Sequence, residues 1–120
     1  MHLEHAEHQR DLRLRRRMLL LMHAARVRPE SGWMSGRFLI DVLESAGSAV
    51  LDDEHATGLL RDLVGAGLIE ERDDRTKRQQ RRSLDLTSFR ISVRGVALVE
   101  ERVPPDPLVD DDRRHVARET

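Results

Sequence analysis

The amino-acid sequence predicts a mainly α-helical fold with a small antiparallel β-hairpin. Three stretches place apolar residues three and four apart, the spacing of one helix face. Two short alternating apolar patterns flank Arg72 to Ser83, RDDRTKRQQRRS, a run with no apolar residue that cannot enter a core. At 120 residues the chain has the length of one domain with a single modest core.

The first helix is predicted over 4–26, where Gly and Pro are absent and Leu14, Met18, Leu21, Met22 and Ala25 share a face. It ends before Pro29. Ser35 is placed to N-cap a second helix carrying Leu39, Leu43 and Ala46, which Gly47 stops. The third helix opens at Asp52, whose carboxylate can accept from exposed backbone N–H groups, with Asp53 and Glu54 suiting the dipole of the first turn. Ala56, Leu59, Leu60, Leu63 and Val64 carry it to Gly65 and Gly67, and Leu68 and Ile69 begin a strand.

The returning strand changes phase. Leu84 and Leu86 occupy even positions, whereas Phe89, Ile91 and Val93 occupy odd ones, so a bulge or break near Thr87 and Ser88 must absorb one residue. Ser92 can cap a short fourth helix with Val96, Ala97 and Val99 inward, and Pro104, Pro105 and Pro107 end it. The expected organisation is a helical extension over 1–11, one domain over 12–103 and an acidic disordered tail over 104–120. Leu21, Leu39, Leu43, Leu60, Leu63, Leu68, Phe89 and Ile91 are the expected core, and Trp33 is read as a plug beneath the second helix.

Composition excludes several functions. Without cysteine there is no disulfide framework, thiol nucleophile or thiolate metal site. The longest apolar run, Met18 to Met22, falls far short of the roughly 20 residues of a bilayer span, so a soluble cytoplasmic protein is expected. The serines lack a G-x-S-x-G elbow, and Gly65-Ala66-Gly67 lacks the third glycine of a dinucleotide fingerprint. Neither an enzyme nor a cofactor is expected. His2, His5 and His8 recur every three residues but have only Glu4 and Glu7 beside them, and no metal site is expected there or at Asp110, Asp111 and Asp112. His55 is read as a polar residue of a capping region. Lys77 is the one lysine among 21 basic residues, a bias of GC-rich coding that points to a bacterial or phage genome.

The formal net charge of −1 conceals segregation. Residues 1–40 balance at +4, 41–71 at −7, 72–99 at +5 and 100–120 at −3. A local basic patch binds a polyanion even when the whole protein is near neutral. The strongest patch is the hairpin, with Arg72, Arg75, Lys77, Arg78, Arg81 and Arg82. A second cluster, Arg10, Arg13, Arg15, Arg16 and Arg17, spreads around the first helix, where charge also serves any solvated surface.

This order of elements resembles a winged helix-turn-helix domain. The segment Leu59 to Arg72, LLRDLVGAGLIEER, is similar to the exit of the third helix in bacterial regulators of the MarR, PadR and ArsR type. Ile91 to Glu100, ISVRGVALVE, is similar to their junction between last wing strand and next helix, with Gly95 at its usual place. The resemblance covers about residues 12–102 and is consistent with a prophage-encoded member. It implies a DNA-binding transcriptional regulator in which the third helix enters the major groove and the wing touches backbone or minor groove.

Carried over by position, Thr57 and Arg61 of the third helix would contact DNA beside the wing's basic residues. The remaining outward positions, Asp53, Glu54 and Gly58, make a poor base-reading set, because carboxylates repel phosphates and only Arg61 can form the common guanine pairing. Phosphate-led binding of duplex DNA is therefore expected. The competing reading is a protein-interaction winged helix whose acidic second and third helices bind a basic partner protein. A homodimer through the first helix is also expected, since Leu3, Ala6, Leu12 and Leu14 extend its apolar pattern beyond what a small core needs.

Overall fold

A computed structural model describes residues 2–26, 32–48, 52–76, 78, 81 and 83–110, with side chains of the first helix from Ala6 onward. Four helices are present among these residues: α1 (His2–Ala25), α2 (Gly36–Ser45), α3 (Asp53–Gly65) and α4 (Val93–Val99). Strands β1 (Met34–Ser35), β2 (Ile69–Asp73) and β3 (Thr87–Ile91) form an antiparallel sheet in the order β1-β3-β2. The expected hairpin is β2–β3. The additional strand β1 pairs Met34 with Phe89 and Ser35 with Ser88, so the sheet has three strands rather than two.

The starts of α2, α3 and α4 follow the expected caps. The hydroxyl of Ser35 accepts from Phe38 N at 3.1 Å, the carboxylate of Asp52 from His55 N at 2.7 Å, and the hydroxyl of Ser92 from Gly95 N at 3.0 Å. Each of these bonds satisfies one N–H that the helix itself cannot pair. Helix α3 stops where Gly67 takes a φ of 76°, a left-handed conformation available to glycine without a Cβ penalty. Gly95 meets a different need: a Cβ there would lie 2.1 Å from the carbonyl oxygen of Leu68, so α4 packs on the α3–β2 turn only without a side chain.

The phase slip is absorbed before β3. A 3-10 turn over Leu84–Leu86 buries Leu84, after which Thr87, Phe89 and Ile91 all face inward in unbroken register with β2. The break thus precedes Thr87 and Ser88, which are both paired. Leu39, Leu43, Leu60, Leu63, Leu68, Phe89 and Ile91 are buried together as expected, while Leu21 is partly buried against them. Among the described residues no helix is long and apolar enough to cross a membrane.

Two expectations fail. Residues 104–110, assigned above to a disordered tail, fold back as a strap across α1, with Val109 2% exposed and Asp110 buried. The remainder of that tail, 111–120, lies outside the described residues. Trp33 does not plug the space beneath α2. Its neighbour Met34 packs toward the core, and Trp33 meets Arg72 and Arg90 from the sheet face turned away from it, their guanidinium carbons 4.7 and 4.5 Å from the ring centroid.

Candidate nucleic-acid interface

The hairpin arginines separate into two groups. Arg72 donates from Nε to Asp74 at 2.7 Å while stacking on Trp33. Arg75 clamps the Asp73 carboxylate, with Nε 3.0 Å from both oxygens and Nη2 2.8 Å from Oδ2. The hydrogen bond it donates to Asp73 holds the Arg75 guanidinium above its already high ordinary pKa. The Asp74 carboxyl lies below its usual value, chiefly because Ser88 donates to it and then because Arg72 does. Asp73 and Asp74 thus hold two of the predicted contact residues at the base of the hairpin.

Arg78 and Arg81, nearer the tip, are exposed and form no ion pair among the described residues. Lys77 and Arg82 lie outside the described residues. Of the six predicted hairpin contacts, two are therefore engaged with carboxylates and two are exposed with no ion pair among the described residues.

On α3 the outward residues are those the sequence predicts. Asp53, Glu54, Gly58 and Arg61 are exposed and Thr57 is half-buried. The acidity is less open than the composition implies. Arg37, in the first turn of α2, donates to Asp53 at 2.6 Å and to Asp85 of the 3-10 turn at 3.2 Å, tying the starts of α2 and α3 to the hairpin. The bond to Asp53 is the main reason its guanidinium lies above its ordinary pKa. Asp62, farther along α3, lies 3.3 Å from Arg15 of α1. Glu54 is left as the outward carboxylate of α3 without an ion pair among the described residues.

Thr57 and Arg61 line a cleft of about 80 Å³ with Glu71, Ser83 and Thr87 from the hairpin side. The structure therefore brings the two predicted α3 contacts to the base of the same hairpin whose outer part carries Arg78 and Arg81.

The arginines of α1 act differently from the way composition presents them. Arg15 is buried, its side chain 7% exposed, and donates from Nε to the Leu108 carbonyl at 2.8 Å as well as facing Asp62. Arg16 donates to Asp110 at 2.8 Å, and Arg17 to the Ser48 hydroxyl at 2.7 Å. Arg10, Arg13 and Arg17 of that cluster are exposed, Arg17 while donating to Ser48. A signal for this was present: Arg15 stands four before Leu19 and seven before Met22, within the stripe of α1 that faces the core. His55 caps nothing with its side chain, which instead lies 2.9 Å from Asp11 and joins α3 to α1.

Comparison with protein families, curated proteins and solved structures finds no match to this chain. The functional reading therefore rests on the residues and geometry above.

Proposed function

We propose that this chain is a small winged helix-turn-helix protein that binds duplex DNA, with α2 and α3 as the helix-turn-helix and the β2–β3 hairpin as the wing, and that it serves as a cytoplasmic transcriptional regulator of bacterial or prophage origin. One observation carries the reading: exposed Arg78 and Arg81 sit on a hairpin whose base shares a cleft with Thr57 and Arg61 of α3. Arginine forks match phosphate oxygens, and an α3 surface with one suitable base-reading side chain favours backbone contacts over sequence selection. Arg72 and Arg75 serve in this reading to hold the hairpin base, not to grip DNA. The rival reading, an acidic face for a basic protein, is weakened by the pairing of Asp53 with Arg37 and of Asp62 with Arg15.

The experiment is binding to random-sequence duplex DNA across a salt series. A complex neutralising about 6–10 phosphates loses roughly 10³–10⁵ in affinity between 50 and 200 mM salt. Salt-insensitive, strongly sequence-selective binding would contradict the proposal.

Two copies would present two wings on one face, and we retain the homodimer as part of the proposal. Its basis is narrower than the sequence implies, because Leu12 and Leu14 are buried within the single chain. The interface then falls to residues 2–11 of α1. Light scattering on the full chain and on one starting at Arg10 tests this: the full chain is expected to be dimeric and the shorter one monomeric, and a dimer indifferent to the truncation places the interface elsewhere.

A further inference from the structure

Away from the α3–hairpin cleft, a second opening of about 260 Å³ lies where the end of α1, the β3–α4 junction and the residues after α4 meet. Arg26, Arg90, Arg102 and Glu70 line it, with Arg90 already donating to Glu70 at 2.9 Å. Ile91 and Val96, both buried, supply an apolar lining. Val93 adds to it and is 85% exposed, the most exposed large apolar side chain among the described residues. Neither the core nor the sheet uses this valine.

The same corner already holds a carboxylate. Glu100 lies 3.2 Å from His23, 3.1 Å from Arg102 and 4.0 Å from Arg26. Its carboxyl is kept below the usual range, first by the hydrogen bond from His23 and then by Arg102. Each guanidinium has five N–H donors, and one carboxylate partner leaves several unused. Arg26 and Arg102 are 55% and 60% exposed, so those donors are open to a second anion.

We propose that this opening binds a small carboxylate with a short branched aliphatic body, its head on Arg26 and Arg102 and its hydrocarbon against Ile91, Val93 and Val96. Apolar walls with a few convergent polar groups are the general form of a small-molecule site, and the volume here falls below the roughly 300–1,000 Å³ of drug-sized sites. The guanidiniums select charge, and the valines select a body that water alone does not satisfy. The proposal is independent of DNA binding.

The chain has one tryptophan, and Arg90 both lines the opening and stacks on it, so Trp33 emission reports occupancy. The full chain is titrated with 3-methylbutanoate, following Trp33 emission and the amide shifts of Ser92 to Val96. The neutral analogue 3-methylbutan-1-ol and inorganic phosphate serve as the uncharged and the bare-anion comparisons. The expected result is saturable millimolar binding of the carboxylate, with both comparison compounds weaker by about tenfold or more. Arg102→Ala and Arg26→Ala each weaken it about tenfold, and Val93→Ser weakens it severalfold, all with unchanged unfolding midpoints. Absence of saturable shifts at Ser92 to Val96, equal binding of the alcohol, or undiminished affinity in Arg102→Ala overturns the proposal.

Discussion

Helix α1 and the β2–β3 hairpin carry the two densest arginine clusters of the chain, and the fold treats them in opposite ways. Arg15, Arg16 and Arg17 reach the strap and the turn before α3, whereas Arg78 and Arg81 reach only water among the described residues. An arginine within a helix's apolar stripe is drawn inward, where its fork must satisfy carbonyl and carboxylate oxygens. An arginine in a run without apolar residues has no such demand on it. Equal composition therefore does not mean equal availability to a polyanion.

The largest expected loss follows from breaking the α1 side of this contrast. Arg15→Ala removes the donor to Leu108 and the partner of Asp62 together, leaving a part-buried carbonyl without its bond. Denaturant unfolding is expected to show a loss of roughly 2–4 kcal/mol. A loss within about 0.5 kcal/mol, the range of an ordinary surface change, would place Arg15 among the solvated arginines instead.

Next in size is the strap that Arg15 and Arg16 fasten. Val109→Ala is expected to cost about 1–3 kcal/mol, because a buried valine loses two methyl groups and leaves a small void against α1 and α4. If residues 104–110 were a loose tail, this variant would unfold at the wild-type midpoint, and the Val109 methyl signals of the wild-type chain would show no dispersion.

A smaller effect sharpens the hairpin side. The folded Asp74 carboxyl lies below its ordinary pKa, so the stabilisation from its bonds to Ser88 and Arg72 is full above the ordinary carboxylate value and is lost as pH falls through the lowered one. Ser88→Ala is expected to move the Asp74 titration up toward the ordinary value, read from its side-chain carbon signal. An unmoved titration would remove Ser88 as the main cause.

Much of this fold was legible because its signals are local. The caps at Ser35, Asp52 and Ser92, the helix stop at Gly67 and the apolar faces of α2 and α3 each depend on residues a turn apart. The parts that escaped depend on distant partners. Strand β1 has two residues and no alternation to read, and it exists because β3 offers Phe89 and Ser88 to it. The strap has a proline-rich composition that looks disordered until Arg15, Arg16 and the pocket for Val109 are supplied by a helix more than 80 residues earlier. Of the candidate site, Thr57, Arg61, Arg78 and Arg81 were legible as outward positions, while the capture of Arg72 and Arg75 was not, since Asp73 and Asp74 neutralise them only in the observed hairpin geometry.

The central claim, that the hairpin arginines face DNA and the α1 arginines hold the fold, is tested most directly by the salt dependence of duplex binding in paired variants. Arg78→Ala combined with Arg81→Ala is expected to lower the slope of log affinity against log salt by about 2, while shifting stability by no more than about 0.5 kcal/mol. Arg16→Ala combined with Arg17→Ala, measured where the variant remains folded, is expected to keep the wild-type slope. An unchanged slope in the hairpin variant together with a reduced one in the α1 variant would contradict the account.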